Sequence, residues 1–463
     1  MNVRLSILSR LSRDDPRAQR AFAVLLYAGW AITLLYFPSG VLLFYFGSAI
    51  YLRDLMLAAH IVASLVCLYR IGDLRSVLRE SAILLLVPLL LIPAMADPDY
   101  RFEALRTVKW TFFWLDWIYI GHFASQIRRW NLWLGVFIVL TAVELLLEWL
   151  IGAYEWQVGH YVFSTPTTWE DKTIFGVQAV KELTLQGNIR VRGFQRDVFS
   201  FANLMAMSSV IGLACASISR TVWQRVAGFA WAALFAVMLV VSGGRSALFG
   251  IFASALLAIA YTVDHRFTRR WAKIYLLAWV VITVVISFAG VGRLTEAISG
   301  TFFGKSHLGD SSSAYMRDDN WTNILAAFEE EPIILVIGGP VASLLDSRIA
   351  PMFHWADNQF LWDAYHLGIA GELAIAFYFF RVLGTGKTGA PPRVVDVAVL
   401  SLLFVIGEGI ARESLTFMGC MPLFVACGYV SGGSAALKHV AGRTSRSRKR
   451  RVRSVKQPLP FVR

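Results

Sequence analysis

From Val198 to Ser219 the chain reads VFSFANLMAMSSVIGLACASIS, with no charged residue. After a short basic connection from Arg220 to Arg225 the apolar run continues to Val241. About 20 apolar residues in a helix cross a ~30 Å hydrocarbon core, because the rise is ~1.5 Å per residue. Two such blocks in succession, with arginines only at their joint, read as two membrane spans connected on the inner side.

The same pattern fills the chain. Beside 198–219 and 224–241, spans are expected at about 20–36, 54–70, 81–97, 108–124, 131–153, 245–262, 273–291, 359–382, 394–411 and 414–432. The apolar stretch 38–52 is a re-entrant piece, an extension of the second span, or a thirteenth span. Composition agrees with a lipid solvent: 57% of residues are hydrophobic, 16% are charged, and the mean hydropathy is +0.57. A soluble chain of this length needs more polar surface. Twelve spans with both termini inside place 29 of the 44 Lys and Arg residues on the cytoplasmic side and 15 outside. A thirteenth span at 38–52 inverts every later loop, so the positive-inside bias favours twelve.

The expected fold is therefore all-α, a polytopic membrane protein of about twelve transmembrane helices in a bacterial inner membrane. Residues 1–19 form a cytoplasmic N-terminus, 20–436 the helical domain, and 437–463 a basic cytoplasmic tail. Segments 154–197 and 293–358 are periplasmic loops, the larger between the ninth and tenth spans. The net charge of +13 lies between apolar blocks and in the tail. That distribution points to anionic lipid headgroups and not to nucleic acid. Cys67, Cys215, Cys420 and Cys427 all fall in apolar blocks, as small core residues and not as a disulfide framework. The first apolar block has no small-residue cleavage site and reads as a retained helix.

Three outer constellations can carry chemistry. Arg190, Arg192 and Arg196 stand within seven positions at the mouth of the sixth span, around Gly193 and ahead of Asn203. Arginine makes forked contacts with phosphate oxygens, and a helix start adds free N–H groups; near a span end it also snorkels to headgroups. Next, Ser242-Gly-Gly-Arg245 makes a tight outer turn. An arginine at the start of a membrane helix needs an anionic partner: Glu144 and Glu148, one turn apart on the fifth span, or a ligand phosphate. Last, His354 and Asp357 precede Asn358 and the tenth span, and either can take a proton from a hydroxyl. Asp357 or Asn358 also suits a helix cap. His366, inside the apolar block, reads as a packed residue. Arg317 to Glu330 has helical apolar spacing and ends at Pro332, as an interfacial helix does. No metal-ligand spacing, nucleotide motif or nucleophile elbow stands out, and no cofactor is expected.

In this order and at these intervals, Arg192 to Asn203, Ser242 to Arg245, Arg317 to Trp321 with Pro332 to Gly339, and Asp357 to Leu361 with Gly368 to Gly371 resemble the O-antigen polymerase and ligase family of polysaccharide assembly. The resemblance covers about 190–372. It implies metal-independent, inverting glycosyl transfer at the periplasmic face from an oligosaccharide on undecaprenyl diphosphate. It also implies that Arg192 or Arg196, with Arg245, holds the leaving diphosphate, with Arg190, Arg317, Glu144 and Glu148 in support. Asp357 or His354 would then be the base, and membrane lipids and other polysaccharide-assembly proteins the surroundings. Ligases of the family typically carry His directly before the Asn of the last motif, where this chain has Asp357. The polymerase branch, making O-antigen or exopolysaccharide, is therefore favoured over the ligase. A reading from another class is a lipid-linked glycan transporter, which would use Asp116, Glu372 and Glu408 within the spans.

Overall fold

A computed structural model describes residues 15–36, 49–92, 101–127, 130–162, 191–195, 198–219, 221–242, 323–345, 359–384, 397–402 and 421–432, with isolated short pieces at 173–189, 247–255 and 404–405. The expected span 273–291, most of 245–262 and 394–411, the basic tail and much of both outer loops lie outside the described residues.

The described chain is helical. Its elements are α1 (Pro16–Tyr36), α2 (Ala49–Arg70), α3 (Leu74–Ser81), a 3-10 turn (Ala82–Leu85), α4 (Leu86–Leu91), α5 (Arg101–Gln126), α6 (Trp130–Val158), α7 (Val198–Ile218) and α8 (Val222–Ser242). Further on come α9 (Pro332–Ile337), α10 (Gly339–Leu345) and α11 (Gln359–Gly384), then α12 (Met421–Gly432). Between α6 and α7 lie two antiparallel pairs of two residues each, Thr173–Ile174 with Val177–Gln178 and Thr184–Leu185 with Asn188–Ile189.

Two described helices are long and apolar enough to cross a membrane: Ser200–Ser217 within α7, which is 72% buried, and α8, which is 33% buried. The first is central and the second peripheral. Their contact is made by small residues. A Cβ at Gly212 would lie 2.9 Å from the Ala232 nitrogen, and one at Gly228 would lie 2.7 Å from the Ala216 nitrogen. Gly212 with Ala216 and Gly228 with Ala232 repeat a four-residue spacing on both helices, so the backbones approach closely. Two hydrogen bonds fix the register, from Ser209 Oγ to Ala232 O (2.9 Å) and from Trp231 Nε1 to Ser208 Oγ (3.0 Å).

The surface is apolar where the interior is polar. Val222, Trp223, Val226, Phe229, Val237 and Val240 of α8 are exposed, and Val136, Val139, Val143, Leu147 and Leu150 line the outer face of α6. Meanwhile Asp73, Glu80, Asp116, His60, His122 and Glu148 are buried. Such a distribution suits surroundings that cannot solvate charge.

Three expectations change in detail, and at 38–52 the described end agrees with an extension of the second span. The span at 81–97 is not one helix over its described part, since the 3-10 turn separates α3 from α4. Pro88 explains the break: its ring crowds the carbonyl of residue 84 and it donates no N–H. The end of the 38–52 stretch belongs to α2, which starts at Ala49. The helix expected as the tenth span, α11, is interrupted at Gly368 (φ 64°, ψ 178°). There its backbone meets Gly338 (φ 86°), the break between α9 and α10, and a Cβ at Gly368 would lie 2.6 Å from the Gly338 nitrogen. Cys215, expected in the core, is exposed, whereas Cys427 is buried.

Candidate functional site

The fifth span is expected to end at residue 153, yet α6 continues to Val158. That extra turn carries Glu155 on the helix, on the face that Glu148 shares two turns earlier. The two carboxylates converge on the turn 191–195, which leads into α7.

Val191 and Arg192 open this turn, and the Gln195 N–H donates to the Arg192 carbonyl at 2.9 Å. Gly193, at the second position, has φ +58°, a conformation that an L side chain adopts at a cost. Space excludes a side chain as well, because a Cβ there would collide with the Glu148 carboxylate and come within 2.8 Å of the Phe201 ring. Successive N–H groups of such a turn point to one side and form an anion cradle. Here protein carboxylates fill it. Glu155 Oε2 accepts from the N–H of Arg192 (2.9 Å) and Gly193 (3.0 Å), and its Oε1 accepts from Val162 N–H (3.2 Å). Glu148 Oε2 accepts from Phe194 N–H (2.8 Å), and its Oε1 from the Gln195 side-chain amide (2.6 Å).

Each of these bonds contributes about 0.5–1.5 kcal/mol, and removing a carboxyl group would strand buried donors. The turn is thus fixed from beneath by α6. Burial pushes the Glu155 carboxyl above its usual value, against the opposing pull of three backbone donors and the Arg192 charge.

Arg192 is buried, 6% exposed, so it does not snorkel into a headgroup layer. Its guanidinium lies 4.0 Å above the centre of the Tyr161 ring. This cation–π contact, together with the nearby Glu155 charge, offsets part of the cost of burial. A permanently charged fork is therefore held on the turn that leads into α7.

Among the other expected site residues, Glu148 is the turn's anchor, with both oxygens engaged by residues 194 and 195. Glu144 sits one turn below, beside the Trp30 indole. Arg190, Arg196, Arg245, Arg317, His354 and Asp357 lie outside the described residues. Ser242, the last described residue before Arg245, ends α8 at the end of the bundle where α7 begins. Trp149 Nε1 of α6 donates to Leu234 O of α8 at 3.0 Å, and Gly152 of α6 packs against Phe201 of α7 and Met238 of α8, so the three helices meet near this end.

The helical stretch 323–330 packs with α9, α10 and the start of α11 into a small separate core around Phe328, Leu335, Trp362 and Tyr365. His366 is packed, as expected: its ring stacks on Trp362 at 4.4 Å, and Nδ1 donates to Trp362 O at 2.9 Å.

Sequence reasoning misses Glu155, Gln195 and Tyr161. The signal for Glu155 is present, as three glutamates on one face of an otherwise apolar helix. No protein-family model, no curated protein and no solved structure matches this chain.

Proposed function

We propose that this protein is a multi-pass enzyme of the bacterial inner membrane, with about twelve spans and both termini in the cytoplasm. It transfers glycosyl units at the periplasmic face from an undecaprenyl-diphosphate carrier, polymerising lipid-linked repeat units into O-antigen or exopolysaccharide. The observation that carries this reading is the Arg192 turn. A buried, always-charged guanidinium is held by Glu148 and Glu155 on a rigid turn that leads into α7, as recognition of a diphosphate requires.

In the reaction an acceptor hydroxyl attacks the anomeric carbon of the donor and the carrier leaves as a diphosphate anion. Arg192 and Arg196, with Arg245, hold that anion and stabilise the charge that grows on it in the transition state. Asp357 or His354 takes the hydroxyl proton as the new bond forms. Asp357, standing where the ligase branch has His, favours polymerase over transfer to lipid A core.

The test is elongation by the purified protein, given only a lipid-linked repeat unit and no ion gradient. A ladder of longer carrier-linked glycans is expected, and it collapses to single units in Arg245→Ala. A protein that leaves the repeat unit unchanged, or an Arg245→Ala variant with the normal ladder, overturns the reading. Transport of an intact lipid-linked glycan is the second reading, favoured by the buried His60–Asp116 pair in the bundle interior. Elongation without a gradient excludes transport as the sole activity.

A further inference from the structure

Between Glu331 and Asp346 the chain reads PIILVIGGPVASLL, fourteen residues without a charge. Such a run is too short to cross a ~30 Å hydrocarbon core, which takes about 20 residues in a helix. By sequence it belongs to the expected outer loop 293–358. In the fold it forms α9 and α10, and both pack against α11, the helix expected as the tenth span. α10 also packs against α4.

The contacts with α11 trace a reversal of direction. Phe328, in the helix over 323–330, meets Tyr365 with ring centroids 6.3 Å apart. Val336 and Ile337 reach Gly368, where an added Cβ would lie 2.6 Å from the Ile337 nitrogen and would collide with the Val336 carbonyl. One residue later, a Cβ at Gly338 would collide with the His366 carbonyl, and a Cβ at Gly339 would lie 3.2 Å from Tyr365 Cζ. The chain thus moves along α11 from residue 365 to 368 and back to 365. Gly338 (φ 86°) and Gly368 (φ 64°) both hold left-handed backbones at this crossing, which glycine adopts without strain. The Gly338 N–H donates to Ile334 O at 2.8 Å, and its carbonyl accepts from Ala342 N–H at 2.9 Å. Both glycines are buried. Irregular backbone at membrane depth is tolerated where it is enclosed by protein in this way.

Charge sets the depth. Arg381 stands in the last turn of α11, at the expected inner edge of the span. From there to Gly368 is ~20 Å at ~1.5 Å per residue, so the break lies about two thirds of the way across the core. On the other limb Glu329 and Glu330 are exposed, and a helical path from Glu331 to Gly338 covers at most ~10 Å. The two lengths together match the core thickness. Exposure agrees. The inner part of α11 turns Leu373, Phe377 and Phe380 outward as one apolar stripe, at helical spacing. In its outer part the residues from Trp362 to Leu367 are all buried, Asp363 and His366 among them. There the outward face belongs to α9, whose Ile333 and Val336 are exposed. An aspartate and a histidine facing hydrocarbon would be costly, and α9 with α10 covers the part of α11 that carries them.

We propose that residues 332–345 are a re-entrant hairpin that enters the outer leaflet from outside and returns to the same side. Ile333 and Val336 are its contact surface for phospholipid acyl chains, continuous with the stripe on α11. Such a hairpin presupposes the multi-pass reading of the chain but not glycosyl transfer. It anchors the large outer loop within the membrane domain at its middle, and not only at its ends.

The test measures depth in the whole purified protein in phosphatidylethanolamine–phosphatidylglycerol vesicles. A nitroxide is attached at Val336→Cys after Cys67, Cys215, Cys420 and Cys427 are replaced with alanine. Its relaxation is read with oxygen, which enters hydrocarbon, and with a nickel chelate, which does not. Val237→Cys on the exposed face of α8 and Glu330→Cys are the references. The oxygen-to-nickel ratio at Val336 should match that at Val237 and exceed that at Glu330 at least about tenfold, because hydrocarbon excludes a polar chelate. A ratio at Val336 equal to that at Glu330, with Val237 in lipid, overturns the hairpin and leaves the multi-pass reading intact. Nickel access at Val237 as well overturns both. If the alanine background fails to fold, photoreactive benzoylphenylalanine at Val336 in the chain with its native cysteines decides the matter. A phospholipid adduct there supports the hairpin, and its absence beside an adduct at Val237 overturns it.

Discussion

Replacing Gly193 with alanine tests whether the arginine turn is held as tightly as its geometry implies. Two costs add at this position. The left-handed backbone (φ +58°) costs an L-residue about 1–2 kcal/mol. The new methyl would also enter the space of the Glu148 carboxylate and the Phe201 ring, an overpacking cost of about 1–3 kcal/mol. Gly159 supplies the control, because it has φ +73° and a Cβ added there would meet no atom within 4 Å. Gly159→Ala therefore carries the backbone cost alone. The difference of about 1–3 kcal/mol corresponds to roughly 5- to 150-fold in the opening equilibrium. Hydrogen–deuterium exchange of the peptide over 191–195 reads it directly, through the amides of Arg192, Gly193 and Phe194 that Glu148 and Glu155 bind. Gly193→Ala should speed exchange there by that factor relative to Gly159→Ala. Equal exchange in the two variants would refute the clamp, whatever the activity of either.

Two further outcomes follow from the same geometry. Burial raises the Glu155 pKa above its ordinary value of 4.5, so its contribution to stability is complete below that value and is lost as pH rises through the raised one. Thermal unfolding over about pH 4 to 8 should show that decline in the wild type and lose it in Glu155→Gln; an unchanged slope in the variant contradicts the assignment. At the break in α11, Gly368→Ala forces a Cβ against the Gly338 backbone at φ +64°. It should lower stability by more than about 2 kcal/mol, and a wild-type unfolding midpoint would mean that the two breaks do not pack.

Helices are legible wherever apolar residues run without interruption. The expected 198–219 and 224–241 correspond to α7 and α8 within a few residues, because length and hydropathy alone define such segments. The interruptions are harder to read. Pro88 stands in plain view, yet an apolar run around a proline has the composition of a continuous span. Gly368 stands out for its motif, but its role depends on Gly338 of a different helix, and no local pattern reveals that contact. Glu155 escapes a reading of the sequence because hydropathy falls before the helix itself stops. The pairing of His60 with Asp116 joins residues 56 apart in sequence, and their separate positions on two helices carry no trace of it. Arg192 is legible from its residue type and position alone. Its burial and its seat on Tyr161 depend on the fold-back of the chain after Val158.

The most direct measurement of the central claim is binding of a polyprenyl diphosphate to the purified protein, by native mass spectrometry or by tryptophan fluorescence. If Arg192 is held in place to receive the diphosphate, Arg192→Ala should weaken binding by roughly 10- to 150-fold, the equivalent of about 1.5–3 kcal/mol for one charge-assisted contact. The corresponding polyprenyl alcohol should bind both proteins alike. Equal affinity of wild type and Arg192→Ala for the diphosphate would contradict the account at its root.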